Sequence, residues 1–170
     1  MAFTFLSADG YEIGSSLLDV ENLEFCKKIL KEYDEKIVLP VDVVCSKEIT
    51  EVSSFYTVDV NNISQTDIGL DIGPKTSTIF KKVIEDSKTV VWNGPVGMFE
   101  MSKYANGTKE ICEALKECDG TTTVGGGDTA AAVIQFGYKD DVTHISTGGG
   151  ASLELLEGSN LPGLSIIDEK

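Results

Sequence analysis

Arginine is missing from this sequence: all 14 basic residues are lysines, and 28 acidic residues give a formal net charge of −14 at pH 7. A chain this acidic is poorly suited to bind a nucleic-acid backbone or an anionic membrane, so we expect neither partner. Without a guanidinium group, which binds phosphate through two hydrogen bonds, the chain cannot neutralise much phosphate charge by itself. A phosphate site would therefore need a bound Mg²⁺ and groups from outside this chain.

Histidine and cysteine are scarce. His144 is the only histidine, and it lies in a predicted strand, where a packed or half-buried side chain is more common than a general base. A hydrolase that depends on a histidine triad therefore has little support. The four cysteines match neither CxxC metal pairs nor a small secreted disulfide framework, so we expect reduced, mostly buried thiols. They are Cys26, Cys45, Cys112 and Cys118.

Long apolar runs are also absent, so no membrane span is predicted. The first residues, MAFTFLSADG, lack the basic region and the long apolar segment of a secretory signal, and we expect a cytoplasmic location. A chain of 170 residues with 41% apolar and 25% charged residues is typical of one globular domain.

Glycine, by contrast, is concentrated in turns that follow β-branched runs. In TTTVGGGDT, residues Thr121–Thr129, the predicted strand Thr121–Val124 runs into three glycines and a predicted helix, Ala130–Phe136. Glycines let the main chain approach a ligand closely, and the free N–H groups at the start of a helix attract anions. We expect Asp128 or Thr129 to cap that helix. The alternative is a tight strand-to-helix turn with no ligand.

The same pattern occurs twice more. The predicted strand Val142–Thr147 runs into Gly148–Gly150 and a helix, and the predicted strand Thr89–Trp92 runs into the turn NGPVG. Parallel strands place their carboxyl ends at one edge of a sheet, and open α/β sheets bind their ligands there. Three glycine turns at that edge favour a phosphate-binding site over bare turns.

Strands alternate with helices of about ten residues, so we expect an α/β fold with a doubly wound, three-layer α/β/α parallel sheet of the Rossmann-like type. Residues Ala2–Leu6 are ambiguous between strand and helix. Asp19 is expected to cap a helix that runs to Tyr33. A strand is predicted at Ile37–Leu39 and continues after Pro40 as Val41–Cys45. Two further predicted strands, Ser53–Val60 and Ile68–Ile72, would form a hairpin outside the main sheet. The other predicted helices are Ser77–Asp86 and Thr108–Cys118.

The motifs VVWNGPVGMFE, VGGGDT, STGGGASLELLEG and LPG, in this order and spacing, resemble the carboxyl-terminal, nucleotide-binding domain of phosphoglycerate kinase. LPVD at Leu39–Asp42 and GLDIGP at Gly69–Pro74 fit as well, and the resemblance extends from residue 1 to about residue 164. We therefore interpret residues 1–170 as a partial domain of this family. The resemblance implies phosphoryl transfer between ATP/ADP and 3-phosphoglycerate/1,3-bisphosphoglycerate in glycolysis, with Mg²⁺ as cofactor.

The resemblance also implies roles for individual residues. Gly69, Leu70 and Met98 would line the adenine pocket, and Glu100 would hold the ribose hydroxyls. Asp128 would bind the Mg²⁺ of the nucleotide, as a carboxylate suits a hard cation. The residues expected near the phosphates are Asn93, Pro95, Gly126, Gly127 and Thr129, and the helix opened by Gly148, Gly149 and Gly150 would point at the transferring phosphoryl group.

Parts of the family match nothing in this chain. They are the amino-terminal domain, which holds the phosphoglycerate and a catalytic arginine, and the start of the nucleotide domain, with a GGAKV-type loop and a catalytic lysine. The resemblance therefore implies a segment of the enzyme, with 3-phosphoglycerate bound only through the missing domain. By itself the 170-residue chain is expected to be inactive.

An incomplete sheet follows from this expectation. In the family's strand order three-two-one-four-five-six, the chain would supply strand three at Ile37–Leu39 and strands four to six. Strand four would then have an unpaired edge, and the apolar face of the helix after Met1 would meet water through Phe3, Phe5 and Leu6. We expect strand three, a second copy of the chain or the missing segment to close this gap.

Two other functions are considered. A non-catalytic nucleotide-binding or assembly module is the main alternative to a kinase segment. A dinucleotide-dependent oxidoreductase is disfavoured because no GxGxxG fingerprint opens the sheet.

Overall fold

A computed structural model of the chain describes residues 1–146, 148–163 and 165–166. The chain forms two compact units. Unit 1 comprises Met1–Val83 and Val96–Ile111, and unit 2 comprises Ile84–Pro95 and Cys112–Lys170. The assignment of residues 1–170 to one partial domain stays a prediction.

Unit 1 is built on a three-stranded antiparallel sheet. The strands are β1 (Asp42–Ser46), β2 (Tyr56–Asp59) and β3 (Ile68–Ile72), and β1 lies between the other two. Val43 of β1 is paired with Val58 on one side and with Ile72 on the other. The buried core beside this sheet consists of Leu6, Ile13, Val43, Cys45, Val60 and Ile63.

Two helices precede this sheet in the chain, α1 (Ala2–Ala8) and α2 (Leu23–Tyr33). The ambiguous residues at the N-terminus are therefore helical. Leu6 of α1 is only 1% exposed and belongs to the core, and Phe3 and Phe5 are half-buried. The expectation that this face meets water is wrong for Leu6, which packs in the core with Val43 and Cys45 of β1, while Phe3 packs against the same core.

The predicted cap of α2 is also wrong. The helix begins at Leu23 with Asn22 at the N-cap. Asp19 instead accepts hydrogen bonds from the side chain of Asn22, at 2.7 Å, and from its backbone N–H, at 3.2 Å. These hydrogen bonds lower the pKa of the Asp19 carboxyl, with the side-chain bond as the largest cause. Asp19 thus fixes the turn before the helix and lies three residues upstream of the actual N-cap, Asn22.

The predicted strand Ile37–Leu39 is wrong as well. These residues lie between a 3₁₀ turn, Asp34–Lys36, and the strand β1. Pro40 has no N–H to donate to a sheet. The next two N–H groups, of Val41 and Asp42, both bond at 3.0 Å to the Thr76 hydroxyl, which lies more than 30 residues further along the chain. Strand three of the expected parallel order is therefore not present at this position.

The predicted hairpin is half right. Strands β2 and β3 do lie outside the parallel sheet, but each pairs with β1 and not with the other. Strand β2 starts at Tyr56 instead of Ser53, because the Ser53 N–H bonds to the Thr50 carbonyl in a turn.

The helices α3 (Pro74–Glu85) and α4 (Asn106–Glu117) follow β3 and the NGPVG turn. Helix α3 starts earlier than predicted, at Pro74, because proline fits the first position of a helix, where no N–H is required.

Unit 2 is built on a parallel sheet in the order β4-β5-β6. The strands are β4 (Thr89–Asn93), β5 (Thr121–Gly125) and β6 (His144–Ser146), with the helices α5 (Gly127–Gln135) and α6 (Gly149–Leu156). Parallel strands alternating with helices confirm the α/β class. Thr147, in the predicted strand Val142–Thr147, and residues 167–170 of the tail lie outside the described residues.

Strand β4 is an edge strand, since β5 is its single partner in the part of the chain that the structure describes. Val91 on this strand is 48% exposed. The order four-five-six is confirmed, and strand three does not fill the gap beside β4.

The expectations for cysteine are confirmed and the one for histidine is not. The four cysteines, all among the described residues, are free thiols, three of them buried and Cys118 half-buried. Burial raises the pKa of Cys45 and of Cys112 to about 12, so both are inert thiols.

His144 is exposed, not packed, because β6 is short and forms an edge of its sheet. None of the described helices is long and apolar enough to cross a membrane.

Candidate functional site

The three glycine turns start at matched positions of the parallel sheet in unit 2. Asn93 at the end of β4 is paired with Gly125 at the end of β5, and Gly125 is paired with Ser146 at the end of β6. The prediction of three turns along one edge of a parallel sheet is therefore confirmed. This is the edge where α/β sheets bind ligands.

The turn after β5 depends on Gly126. Its φ of 90° lies in the left-handed region that favours glycine, and it is the N-cap of α5. A Cβ at this position would lie 3.3 Å from the side-chain nitrogen of Asn93 and 3.4 Å from the Thr129 hydroxyl. Asn93 therefore packs directly against the glycine turn, and a side chain there would push it away.

The predicted cap of α5 is wrong. The helix begins at Gly127, earlier than predicted, and no described side chain caps its N-terminus. Asp128 and Thr129 lie inside the first turn, so neither can act as the N-cap. The first N–H groups of α5 thus have no intrahelical acceptor, and they are the groups that bind anions at helix N-termini.

Thr129 has a different partner. Its side chain is only 1% exposed, and its hydroxyl accepts a hydrogen bond from the Gly94 N–H at 2.8 Å. The Gly94 carbonyl in turn accepts a hydrogen bond from the indole N–H of Trp92 at 2.8 Å. These bonds fix the turn after β4 to the first turn of α5.

The second GGG turn lies beside the first. Gly148 is the N-cap of α6, and a Cβ on Gly149 would lie 3.7 Å from the Cα of Gly126. The Ser146 hydroxyl is 2.8 Å from the Ser152 hydroxyl and accepts a hydrogen bond from the Gly148 N–H. The N-termini of two helices, α5 and α6, are thereby brought together around glycine backbone.

Asp128 is the candidate metal ligand in these turns. Its side chain is exposed in the first turn of α5. Within residues 1–146, 148–163 and 165–166, no group of three or more His, Cys, Asp or Glu side chains is arranged to hold a metal ion. Mg²⁺ is usually held by one or two carboxylates together with substrate phosphates, not by a cage of protein ligands. A single exposed carboxylate beside free helix N–H groups fits a cation that arrives with a nucleotide.

The candidate adenine and ribose residues lie in unit 1. The Met98 N–H bonds to the Leu70 carbonyl at 2.8 Å, which brings these two predicted neighbours together. Gly69 lies against the Phe3 ring, where a Cβ would be 2.0 Å from the ring carbon Cζ. Glu100 is exposed. Pro95, in unit 2, is half-buried.

Asp71 is a buried acid that was not predicted as a functional residue from the sequence. Its side chain is 4% exposed, and burial raises its pKa to about 6. The sequence signal was an aspartate between apolar residues of a strand, IGLDI, since a buried carboxylate needs partners to be retained.

Three neighbouring strand ends, two helix N-termini and one exposed carboxylate form an arrangement typical of α/β proteins that bind phosphorylated ligands. The sequence profile of the phosphoglycerate kinase family matches residues 1–159. The chain therefore belongs to the phosphoglycerate kinase family.

Individual relatives agree with this assignment. The chain is 52% identical to a phosphoglycerate kinase of Enterococcus faecalis and 53% identical to one of Fusobacterium nucleatum, over its full length and 43% of each relative. Among solved structures, phosphoglycerate kinase from Coxiella burnetii is similar with a TM-score of 0.92 and 38% identity, covering 97% of this chain and 44% of that one. Phosphoglycerate kinase from Pyrococcus horikoshii gives a TM-score of 0.83 at 28% identity, covering 96% of this chain and 42% of that one. The chain thus spans less than half the length of these relatives.

Proposed function

We propose that the chain is the nucleotide-handling part of a phosphoglycerate kinase. The reaction would be Mg²⁺-dependent phosphoryl transfer between ATP/ADP and 3-phosphoglycerate/1,3-bisphosphoglycerate, as part of glycolysis in the cytoplasm. Family membership supports this reaction. The single structural observation that carries the proposal is the meeting of the two GGG turns, with Gly149 against Gly126.

The turns of unit 2 would hold the phosphates. The first N–H groups of α5, at Gly127, Asp128 and Thr129, donate hydrogen bonds to phosphate oxygens. Asn93 borders the same turn and would contribute its side-chain amide, and Pro95, in the turn after β4, would lie near the phosphates. Neutral donors fixed in place stabilise charge without having to reorganise during the reaction.

Asp128 would hold the nucleotide's Mg²⁺ through its carboxylate. When bound, this ion neutralises charge on the phosphates and draws electron density from the transferring group. Gly148, Gly149 and Gly150 open α6, whose N–H groups would stabilise the phosphoryl group as it moves. Direct transfer to a carboxylate acceptor needs no covalent intermediate on these residues.

Unit 1 would contribute recognition of the nucleoside. Gly69, Leu70 and Met98 form apolar and backbone contacts with adenine, and Glu100 accepts hydrogen bonds from the ribose hydroxyls. The 3-phosphoglycerate would be bound by parts of the whole protein that this chain does not contain.

The 170-residue chain by itself would bind ADP weakly and would not catalyse transfer. No lysine or arginine lies in the sequences NGPVG, GGGDT or TGGGAS. Phosphate charge would therefore meet only neutral N–H groups and one metal ion, whereas kinases also use cationic side chains.

Complementation tests the proposal. The chain is mixed with a second polypeptide that carries the remaining part of a phosphoglycerate kinase, and phosphoglycerate-dependent ADP formation is measured. The proposal is supported if the unaltered chain restores turnover and the Asp128→Asn chain does not. A folded chain that binds both its partner and ADP without restoring turnover would favour the non-catalytic module instead.

A further inference from the structure

Asp71 holds its carboxylate between two backbone N–H groups inside unit 1. Its Oδ1 accepts a hydrogen bond from the Ile72 N–H at 2.9 Å, and its Oδ2 accepts one from the Gly107 N–H at 2.9 Å. Gly107 lies in the first turn of α4, whose orphan N–H groups favour a negative charge. The carboxylate is thus a fixed anchor for the start of α4.

Two glycines approach the same carboxylate closely. A Cβ on Gly97 would lie 2.1 Å from Asp71 Oδ1, and a Cβ on Gly107 would lie 2.4 Å from it. Any side chain at either glycine would collide with the carboxylate. One carboxylate therefore contacts both ends of residues 97–107, which we call the 97–107 segment.

The 97–107 segment carries Met98 and Glu100, the candidate adenine and ribose residues. Its start is also fixed by the bond from the Met98 N–H to the Leu70 carbonyl, the residue before Asp71. Inside the segment, Phe99 and Tyr104 are 5% and 0% exposed. A segment with buried residues in its middle and one carboxylate at both ends has little freedom to move.

We propose that Asp71 is a positioning residue for nucleotide binding: it fixes the 97–107 segment and thereby the places of Met98 and Glu100. The proposal rests on the proposed function for the roles of those two residues. Asp71 touches no substrate and acts through the segment. Its loss should weaken nucleotide affinity and leave the transfer step itself nearly unchanged, because the phosphate turns of unit 2 are separate residues.

Burial of the Asp71 carboxylate carries a cost in stability. Desolvation raises the pKa of its carboxyl, the hydrogen bonds from Gly107 and Ile72 lower it, and the charge of Glu110 on α4 raises it further. A buried carboxylate that is not fully compensated destabilises the fold. The contacts of the Asp71 carboxylate with both ends of the 97–107 segment account for its presence.

Asp42 offers a matched control. It is 1% exposed and accepts hydrogen bonds from the N–H groups of Thr76 at 2.8 Å and Lys75 at 3.1 Å, at the start of α3. Gly73 approaches it as closely as Gly97 approaches Asp71, since a Cβ there would lie 2.3 Å from the Asp42 Cγ. Asp42 therefore anchors the start of a helix, α3, in the same way, but α3 carries none of the candidate nucleotide residues.

The test compares Asp71→Asn with Asp42→Asn. Asparagine keeps the shape but has one side-chain oxygen acceptor where aspartate has two, so one N–H loses its partner in each variant. In the complemented enzyme, we expect Asp71→Asn to raise the nucleotide KM about tenfold, with kcat and the phosphoglycerate KM within about twofold. In the chain alone, hydrogen exchange at Met98 and Gly107 should accelerate. Asp42→Asn should change neither quantity.

Each outcome decides the proposal. Equal changes from both variants, or unchanged exchange at Met98 and Gly107 in Asp71→Asn, would overturn it. If the unaltered chain neither binds ADP nor restores turnover, the proposed function fails, and the exchange comparison still decides whether Asp71 fixes the segment. If Asp71→Asn does not fold, Gly97→Ala replaces it, since this change displaces the start of the segment with Asp71 retained; the same tenfold rise in KM is expected.

Discussion

The Thr129 hydroxyl accepts a hydrogen bond from the Gly94 N–H at 2.8 Å, although the two residues lie 35 positions apart in the chain. This bond joins the turn after β4 to the first turn of α5. It holds two of the three glycine turns in one arrangement.

Thr129→Val should loosen both turns. Valine has nearly the same shape but no acceptor, so the half-buried Gly94 N–H loses its partner, at a cost of about 1 kcal/mol in the free energy of unfolding. Nucleotide affinity should fall as well, because the N–H groups around the phosphates are displaced. Urea unfolding and ADP titration measure the two effects. Thr129→Ser retains the hydroxyl and should keep both near their original values; a loss in the serine variant with none in the valine variant would show that the methyl group, not the bond, matters.

Asp128→Asn should abolish nearly all turnover in the complemented enzyme, by more than about a hundredfold, since the ion it would hold stabilises the transferring charge. Stability should hardly change, because Asp128 lies inside α5 and does not cap it. Asp119→Asn, at another exposed acid of unit 2, is the control and should retain activity. A loss of about 1 kcal/mol of stability with full activity would instead make Asp128 a helix-stabilising acid.

Glu100→Gln should raise the nucleotide KM while leaving the phosphoglycerate KM unchanged, because it weakens hydrogen bonds to the ribose. Steady-state kinetics on the complemented enzyme measure both constants. The exposed acid Glu51, also in unit 1, provides a control as Glu51→Gln. If the nucleotide KM does not respond to Glu100→Gln, Glu100 is a solvated surface acid.

The Asp71 carboxyl predicts a pH dependence of stability. Its pKa is raised from 3.8 to about 6 in the folded chain. The folded state therefore holds this proton more tightly than the unfolded state, and its contribution to the free energy of unfolding is lost as pH rises from about 4 to about 6. The change is on the order of 1–3 kcal/mol.

Urea unfolding at several pH values between 4 and 7 measures this contribution. Subtracting the Asp71→Asn curve removes the effect of the other acids. The free energy of unfolding of the unaltered chain, minus that of Asp71→Asn, should fall as pH rises. A constant difference would show that the hydrogen bonds from Gly107 and Ile72 balance burial, and a shift in the opposite direction would show that they outweigh it.

The glycine turns could be predicted from the sequence because each one is a local pattern. A β-branched run followed by glycines specifies a strand and its end, and parallel strands bring such ends to one edge. The pairing of Asn93, Gly125 and Ser146 confirmed this inference without any long-range information.

Some of the errors came from contacts between residues far apart in the chain. Ile37–Leu39 has the composition of a strand, but Thr76 takes the N–H groups that follow it. Thr129 was expected as a cap because threonine often caps helices, whereas its hydroxyl is committed to Gly94. Asp71 could not be assigned a role until Gly97 and Gly107 were seen against it. Sequence patterns report local preference, and a buried polar side chain is defined by its distant partners.

The central claim is that the glycine turns of unit 2 bind the phosphates of a nucleotide together with Mg²⁺. Amide chemical shifts of the chain, followed by NMR during titration with ADP and Mg²⁺, test it residue by residue. We expect the largest shifts at Gly126–Thr129 and Gly148–Gly150, reduced in Asp128→Asn and absent with adenosine, which has no phosphate. Saturation by ADP with these amides unmoved would contradict it.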